Sequence, residues 1–277
     1  MKFLAPAKIN LSLIVKHRRT DGFHEIETVI VPISLCDSLE IERRNGGDLE
    51  FICDDPSVPG DDTNLVVRAA RLFFRAASRE PQVRIHLEKK IPHGAGLGGG
   101  SSDAATTLLG LNKLFNTGFS REQLSAMAAE LGSDVPVFVH ESAAVCRGRG
   151  EQIEPCALPQ RWPLLLLKPP FGVPTPWAYR QWRDSVEIPG IPYAPQPFAW
   201  GELRNDLERP VFEKFLFLAQ CKRWLLAQPE VAGALMSGSG STLFAVLRDS
   251  AGAPLLAQRA MREFGPFFWC QTAETQG

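Results

Sequence analysis

The chain has 277 residues, 44% hydrophobic and 22% charged, enough for one large or two ordinary domains around a buried core. That balance excludes a disordered chain, and no apolar run approaches the ~18 residues of a membrane span. Its 30 basic and 31 acidic residues leave a formal charge of −1, which argues against nucleic acid as the main partner but allows a local basic site for an anion.

The six cysteines, at 36, 53, 146, 156, 221 and 270, form no C-x-x-C pair and flank no histidine pair. Zinc and dithiol chemistry are therefore not indicated, and a reduced, cytoplasmic chain is the simpler reading. The opening "MKFLAPAKINLSL" has neither a long apolar stretch nor an Arg/Ser-rich leader.

In chain order, the first predicted element is a strand. Ile9, Leu11, Leu13 and Val15 alternate with Lys8, Asn10 and Ser12, which puts Lys8 and Asn10 together on the polar face. Further strands are expected at "EIETVIVPI", "SLEIERR", "LEFICDD" and "VRIHLEKKI". Between the last two, "TNLVVRAARLFFRAASRE" reads as a helix capped by Asp62 or Thr63. A second helix follows the glycine-rich stretch after Pro92. The third, "SREQLSAMAAELG", carries a capping-box pattern at Ser120 and Gln123 and stops at Gly132.

Prolines crowd the region from Pro155 to Pro197 and mark a junction, dividing the chain into domains 1–157 and 158–277. Within it, "TPWAYRQW" reads as a helix with Thr175 at the N-cap and Pro176 at the first helical position. The rest alternates: helix "PVFEKFLFLAQCKRWLLAQ", strand "AGALM", loop "SGSGS", strand "TLFAVL", helix "PLLAQRAMREFG", strand "PFFWCQTA". The class is α+β.

The stretch "PHGAGLGGGSSDAATTLLGLN", Pro92 to Asn112, decides among a linker, a dinucleotide fingerprint and a phosphate cradle. A linker would run on into polar sequence, whereas Ala104, Ala105, Leu108, Leu111 and Phe115 follow at helical spacing. The P-loop pattern fails, since no lysine follows the glycines. "GAGLGG" fits G-x-G-x-x-G, but the acidic residue expected about 20 positions on is missing from a following strand. What remains is a strand that runs through glycines into a helix N-terminus, where unpaired N–H groups and the helix dipole favour an anion. Positive charge must come from elsewhere in the chain.

Together with this stretch, "PAKINLSL" at 6–13 and "MSGSGSTLF" at 236–244 resemble the GHMP family of small-molecule kinases, which includes galactokinase, homoserine kinase, mevalonate kinase and phosphomevalonate kinase. "DGFHEIET", "DTNLVVRAA", "GSDVPVF", "VPTPWAY" and "RNDLE", in that order, narrow the resemblance to a member whose acceptor carries a cytidine diphosphate group. The resemblance implies a two-domain GHMP architecture, with an N-terminal domain like that of ribosomal protein S5 and a ferredoxin-like C-terminal domain. It also implies ATP-dependent phosphorylation of a small-molecule alcohol.

The resemblance implies residue roles as well. Lys8 would stabilise charge on the reacting oxygen and the transferring phosphoryl group, and Asp134 would accept the hydroxyl proton. The ATP phosphates would lie on Pro92, His93, Gly94, Ala95, Gly96, Leu97, Gly98, Gly99, Gly100, Ser101 and Ser102. Asn64 and Lys89 match adenine-contacting positions, although a helix cap and a solvated lysine are equal alternatives. Asn10 would hold the acceptor or the catalytic carboxylate. Phe23, His24, Thr175 and Tyr179 would face the cytidine, with Phe23 standing where tyrosine is frequent. Ser237, Gly238, Ser239 and Gly240 form the third motif, which otherwise reads as a plain hairpin. The chemistry calls for Mg²⁺, but no acidic ligand declares itself; Asp103 is a candidate, and the favoured reading of it is a helix-start acid suited to the dipole. The alternatives are another GHMP kinase, of homoserine or phosphomevalonate type, and a non-catalytic nucleotide- or RNA-binding protein.

Overall fold

The computed structural model describes residues 1–276. Contacts divide them into two interleaved compact units: Met1–Ala7, Leu35–Pro92 and Gly98–Ser142 form the first, and Lys8–Ser34, His93–Leu97 and Ala143 onward form the second. The single cut expected after residue 157 falls between two strands of the second unit. Strands β1 (Lys2–Arg18) and β2 (His24–Arg43) are long enough to contribute to both units. The two strands expected over 25–44 are thus one, because no glycine interrupts the run between them.

In the first unit, β3 (Glu50–Cys53) pairs in parallel with β4 (Val83–Glu88), which pairs antiparallel with the Ser38–Arg43 end of β2. Helix α1 (Leu65–Ala76) packs on α2 (Gly99–Phe115), followed by α3 (Arg121–Leu131) and the short α4 (Val135–Val139). Helix α1 buries Val66, Val67, Ala70, Phe73 and Phe74 and leaves Arg68, Arg71 and Arg75 outside, as helical periodicity requires. Phe74 meets Phe115 edge to face at 5.1 Å. Its cap is Asn64, not Asp62 or Thr63: Asn64 Oδ1 accepts the Val66 N–H at 2.8 Å, while Thr63 is bound to Asp61. The capping box on α3 forms as expected from Ser120 and Gln123.

In the second unit, β5 (Ala144–Gly148) pairs with the Ile26–Ile30 part of β2 and with β6 (Gln152–Pro155). Strand β7 (Pro163–Lys168) lies in a separate four-stranded antiparallel sheet, and its Leu164–Leu167 run is fully buried. Helix α5 (Thr175–Gln181) precedes the hairpin of β8 (Gln196–Phe198) and β9 (Gly201–Asn205). Strand β9 runs parallel to β1, with Leu13 opposite Asn205. The N-cap of α5 is Pro174, one position earlier than expected, and the Thr175 hydroxyl bonds to Ser239.

The helix expected over 210–228 breaks at Phe215, whose ψ of 64° is not helical, into α6 (Glu208–Lys214) and α7 (Leu216–Leu226). Strands β10 (Val231–Met236) and β11 (Leu243–Leu247), helix α8 (Ala253–Phe264) and strand β12 (Trp269–Glu274) complete the chain. The small sheet runs β10-β11-β7-β12, with α7 against β10 and α8 against β12. Its core joins Leu165, Leu167, Phe212, Leu225, Ala245 and Leu256.

Candidate active site

In the second unit, Asn10 and the Gly238 backbone lie next to Lys8. Period-two alternation does place Lys8 and Asn10 on one face of β1, but that face is not solvated: they are 4% and 3% exposed. Lys8 Nζ donates to Asn10 Oδ1 at 2.6 Å, and Asn10 Nδ2 donates to Thr28 Oγ1 at 2.8 Å. Thr28 passes its own hydrogen to the Ser12 carbonyl at 2.5 Å. A buried ammonium is held only where polar groups compensate its lost hydration, and this relay fixes its position.

Three consecutive carbonyls of the glycine-rich stretch are taken by donors of the same unit. Ala95 O accepts from Thr242 N at 3.1 Å, Gly96 O from Ser237 Oγ at 2.9 Å, and Leu97 O from Lys8 N at 2.9 Å. Gly94 and Gly96 hold φ of 62° and 75°. Side chains are excluded at Gly96, where a Cβ would fall 2.4 Å from Ser237 O and 2.8 Å from Gly240 O. Gly238, at φ 56°, turns the open side of its α-carbon to the lysine: a Cβ there would lie 3.3 Å from both Lys8 Nζ and Asn10 Oδ1. Ser239 Oγ and Thr175 Oγ1 are 2.7 Å apart, joining the third-motif loop to the start of α5.

An aromatic group occupies the same unit. His24 stacks on Tyr179 with centroids 5.4 Å apart, and meets Trp182 edge-on at 6.1 Å. Phe23 is 50% exposed, with the Arg149 guanidinium over its ring at 4.7 Å. Burial, reinforced by Arg18, lowers the pKa of His24 below the usual histidine value.

In the first unit, Gly98 is the N-cap of α2 at φ 71°, with no side chain capping the helix. The N–H groups of the first turn, Gly99 to Ser101, have no intrahelical acceptor by helix geometry. Ser102 Oγ is fully buried and has no protein partner. Lys89 Nζ lies 2.5 Å from Asp37 Oδ2 and 2.8 Å from Asp103 Oδ2. Asp37 Oδ1 also accepts the N–H groups of Lys90 and Ile91, at 2.5 Å and 2.8 Å, just before Pro92. Burial, with Asp37 nearby, pushes the Asp103 carboxyl up to about 7 despite Lys89. Asn64 donates from Nδ2 to Pro59 O at 2.7 Å in addition to capping α1. Asp134 occupies the N-cap position of α4, but its exposed side chain makes no capping bond.

Sequence reasoning attached no role to Thr28, Arg149, Trp182, Asn205 or Glu208. Thr28 closes "DGFHEIET", Asn205 and Glu208 belong to "RNDLE", and Trp182 ends "TPWAYRQW", so each had a signal. Arg149 had none. Among the described residues no three His, Cys, Asp or Glu side chains form a metal cluster, and no helix is long and apolar enough to cross a membrane.

Comparison with known proteins gives the class first. Residues 64–142 match the family model for the GHMP kinases N-terminal domain, and 199–266 that for the GHMP kinases C-terminal domain. The chain is thus an ATP-dependent small-molecule kinase with the two-domain GHMP architecture. A homoserine kinase from Cytophaga hutchinsonii shares the fold at 16% identity and a TM-score of 0.69, over 100% of this chain and 94% of its own.

Nearer relatives narrow this. The 4-diphosphocytidyl-2-C-methyl-D-erythritol kinase of Methylacidiphilum infernorum is 42% identical over 98% of this chain and 95% of its own. That of Nitrosospira multiformis is 42% identical over 90% of this chain and 83% of its own. A crystal structure of 4-(cytidine 5'-diphospho)-2C-methyl-D-erythritol kinase covers all of both chains at 40% identity, with a TM-score of 0.83. The chain belongs to the 4-diphosphocytidyl-2-C-methyl-D-erythritol kinase family.

Proposed function

We propose that this protein transfers the γ-phosphoryl group of ATP to the 2-hydroxyl of 4-diphosphocytidyl-2-C-methyl-D-erythritol, in the non-mevalonate route to isoprenoid precursors. The observation that carries the reading is the buried Lys8–Asn10 pair, packed against the third-motif loop in a unit that also holds the His24–Tyr179 stack. A lysine buried against that loop, in a unit that also holds aromatic faces, suits a reaction on an anionic, base-bearing acceptor.

Phosphoryl transfer asks the protein mainly for position and charge stabilisation. Lys8 supplies the cation for the oxygen losing its proton and for the transferring group. Asp134 supplies the proton acceptor, its carboxylate uncommitted to the helix it precedes. The glycine-rich stretch and the uncapped start of α2 supply N–H groups for the phosphates. One Nδ2 hydrogen of Asn64 and the third Nζ hydrogen of Lys89 are left for adenine after their protein bonds. The neutral His24 imidazole offers cytosine one donor and one acceptor, with Phe23 and Tyr179 as faces and the Thr175 hydroxyl at the rim.

Mg²⁺ would neutralise β- and γ-phosphate charge. The buried, unpartnered Ser102 hydroxyl and Asp103 Oδ1 fit an oxygen-liganded cation that keeps most of its other ligands from phosphate and water. Cytoplasmic residence is the matching compartment, in keeping with six cysteines that form no disulfide.

The reading is tested by following ADP release from ATP and Mg²⁺ with the cytidyl acceptor, homoserine, phosphomevalonate or no acceptor. Turnover with the cytidyl acceptor alone is expected. Activity with a different acceptor only would keep the kinase class and overturn the substrate.

A further inference from the structure

Asn205 closes β9, is 6% exposed, and spends both of its side-chain polar atoms on backbone groups. Its Nδ2 donates to Met236 O and Gly238 O, both at 2.7 Å, and its Oδ1 accepts the Leu207 N–H at 2.9 Å. Three residues on, Glu208 Oε1 accepts the Met236 N–H at 2.9 Å while its Oε2 binds Lys222 Nζ at 2.6 Å. Two side chains of one short motif therefore grip the N–H and carbonyl of Met236 and the carbonyl of Gly238. They hold the start of the third-motif loop through its backbone.

The front of that loop abuts the lysine. The open side of the Gly238 α-carbon faces Lys8 Nζ and Asn10 Oδ1, each 3.3 Å from where a Cβ would stand. Ser237, between the two gripped carbonyls, sends its hydroxyl to Gly96 O at 2.9 Å. Moving the Gly238 peptide by a fraction of an ångström changes the space on one side of the ammonium, and misplacement on that scale matters in transfer chemistry.

We infer that Asn205 is a positioning residue for Lys8, fixing the Gly238 backbone against which the catalytic ammonium rests. The inference rests on the kinase reading above, and a purely structural role is its rival. Asn205→Asp separates the two. It keeps the acceptor for the Leu207 N–H but sets carboxylate lone pairs against the Met236 and Gly238 carbonyls, so the start of the loop is pushed away from residue 205 while the Leu207 bond remains.

The experiment measures kcat, KM and equilibrium ATP binding for wild type, Asn205→Asp and Asn205→Ala, each also in a Lys8→Ala background by single-turnover assay with labelled ATP. Positioning predicts that kcat falls about 10- to 100-fold, ATP affinity changes less than about threefold, and the same substitution costs less than about threefold once Lys8 is gone. Should an Asn205 variant fail to fold, Gly238→Ala serves instead. It leaves the Asn205 bonds intact, intrudes on Lys8 and Asn10, and must show the same dependence on Lys8.

Equal losses with and without Lys8, or an unchanged kcat, would overturn the inference. Wild-type protein without ATP-dependent turnover would instead overturn the kinase reading on which it stands.

Discussion

The Lys89 ammonium lies 2.8 Å from Asp103, a residue of the first turn of α2, and so bridges the two flanks of the glycine-rich stretch. Asp37, at 2.5 Å on the other side of the ammonium, takes the backbone N–H groups leading into that stretch. Two carboxylates around one buried cation leave negative charge in excess, and burial holds a proton on Asp103 up to about 7.

The sign of the resulting pH dependence follows from linkage. Between the ordinary carboxylate range and about 7 the folded chain binds a proton that the unfolded chain has lost, so the Asp103 contribution to stability falls as pH rises through that window. Asp103→Asn removes the titration. Thermal midpoints of the nucleotide-free protein are expected to favour the variant, relative to wild type, progressively more from pH 5 to pH 8. Parallel midpoint curves would exclude the buried proton.

Gly96→Ala places a methyl group against two backbone carbonyls at a positive φ, where neither can yield cheaply. We expect a loss of about 1–3 kcal/mol in stability and at least about tenfold in kcat/KM. Gly94→Ala is the control, since its Cβ would meet nothing within 4 Å and only the φ of 62° is strained. Its cost should stay near about 1 kcal/mol. Chemical denaturation of the two variants side by side checks the ranking.

Removing the Tyr179 ring takes away one wall of the His24 stack, a contact of about 0.5–1.5 kcal/mol beyond simple burial. Tyr179→Ala should raise KM for the cytidyl acceptor several-fold, up to about tenfold, and leave KM for ATP unchanged. Because burial lowers the His24 pKa, the imidazole is neutral throughout the slightly alkaline range. KM for the acceptor is expected to be flat from pH 7 to pH 8, and to change only below the ordinary histidine value of about 6.5. Steady-state kinetics across pH test both statements.

Glu208 and Lys222 form an ion pair that is 2.6 Å long and almost wholly buried. Glu208→Gln keeps an oxygen for the Met236 N–H but leaves a buried ammonium without its counter-charge, and should cost about 3–5 kcal/mol. Adding Lys222→Met should recover most of that loss. Denaturation of the single and double variants decides between this and a pair that contributes little.

Much of this was legible in the sequence, and the gaps have physical causes. The capping box at Ser120 and the stop at Gly132 are local signals, and they hold. The break at Phe215 is not encoded by periodicity, whereas the merging of two strands into β2 follows from a run that no glycine interrupts. Lys8 and Asn10 share a face as alternation requires, but their burial comes from partners distant in the chain: Thr28, Leu97 and Gly238. "RNDLE" marked the family without disclosing a role, since Asn205 acts on backbone atoms more than thirty residues away.

The most direct test of the central claim is ³¹P NMR of the product formed from ATP, Mg²⁺ and 4-diphosphocytidyl-2-C-methyl-D-erythritol by wild type and by Asp134→Ala. The account predicts a new phosphomonoester signal assigned to the 2-position with wild type, alongside an intact diphosphate bridge. It predicts a rate at least about a hundredfold lower with the variant. A phosphomonoester at another hydroxyl, or equal rates from the two proteins, would contradict it.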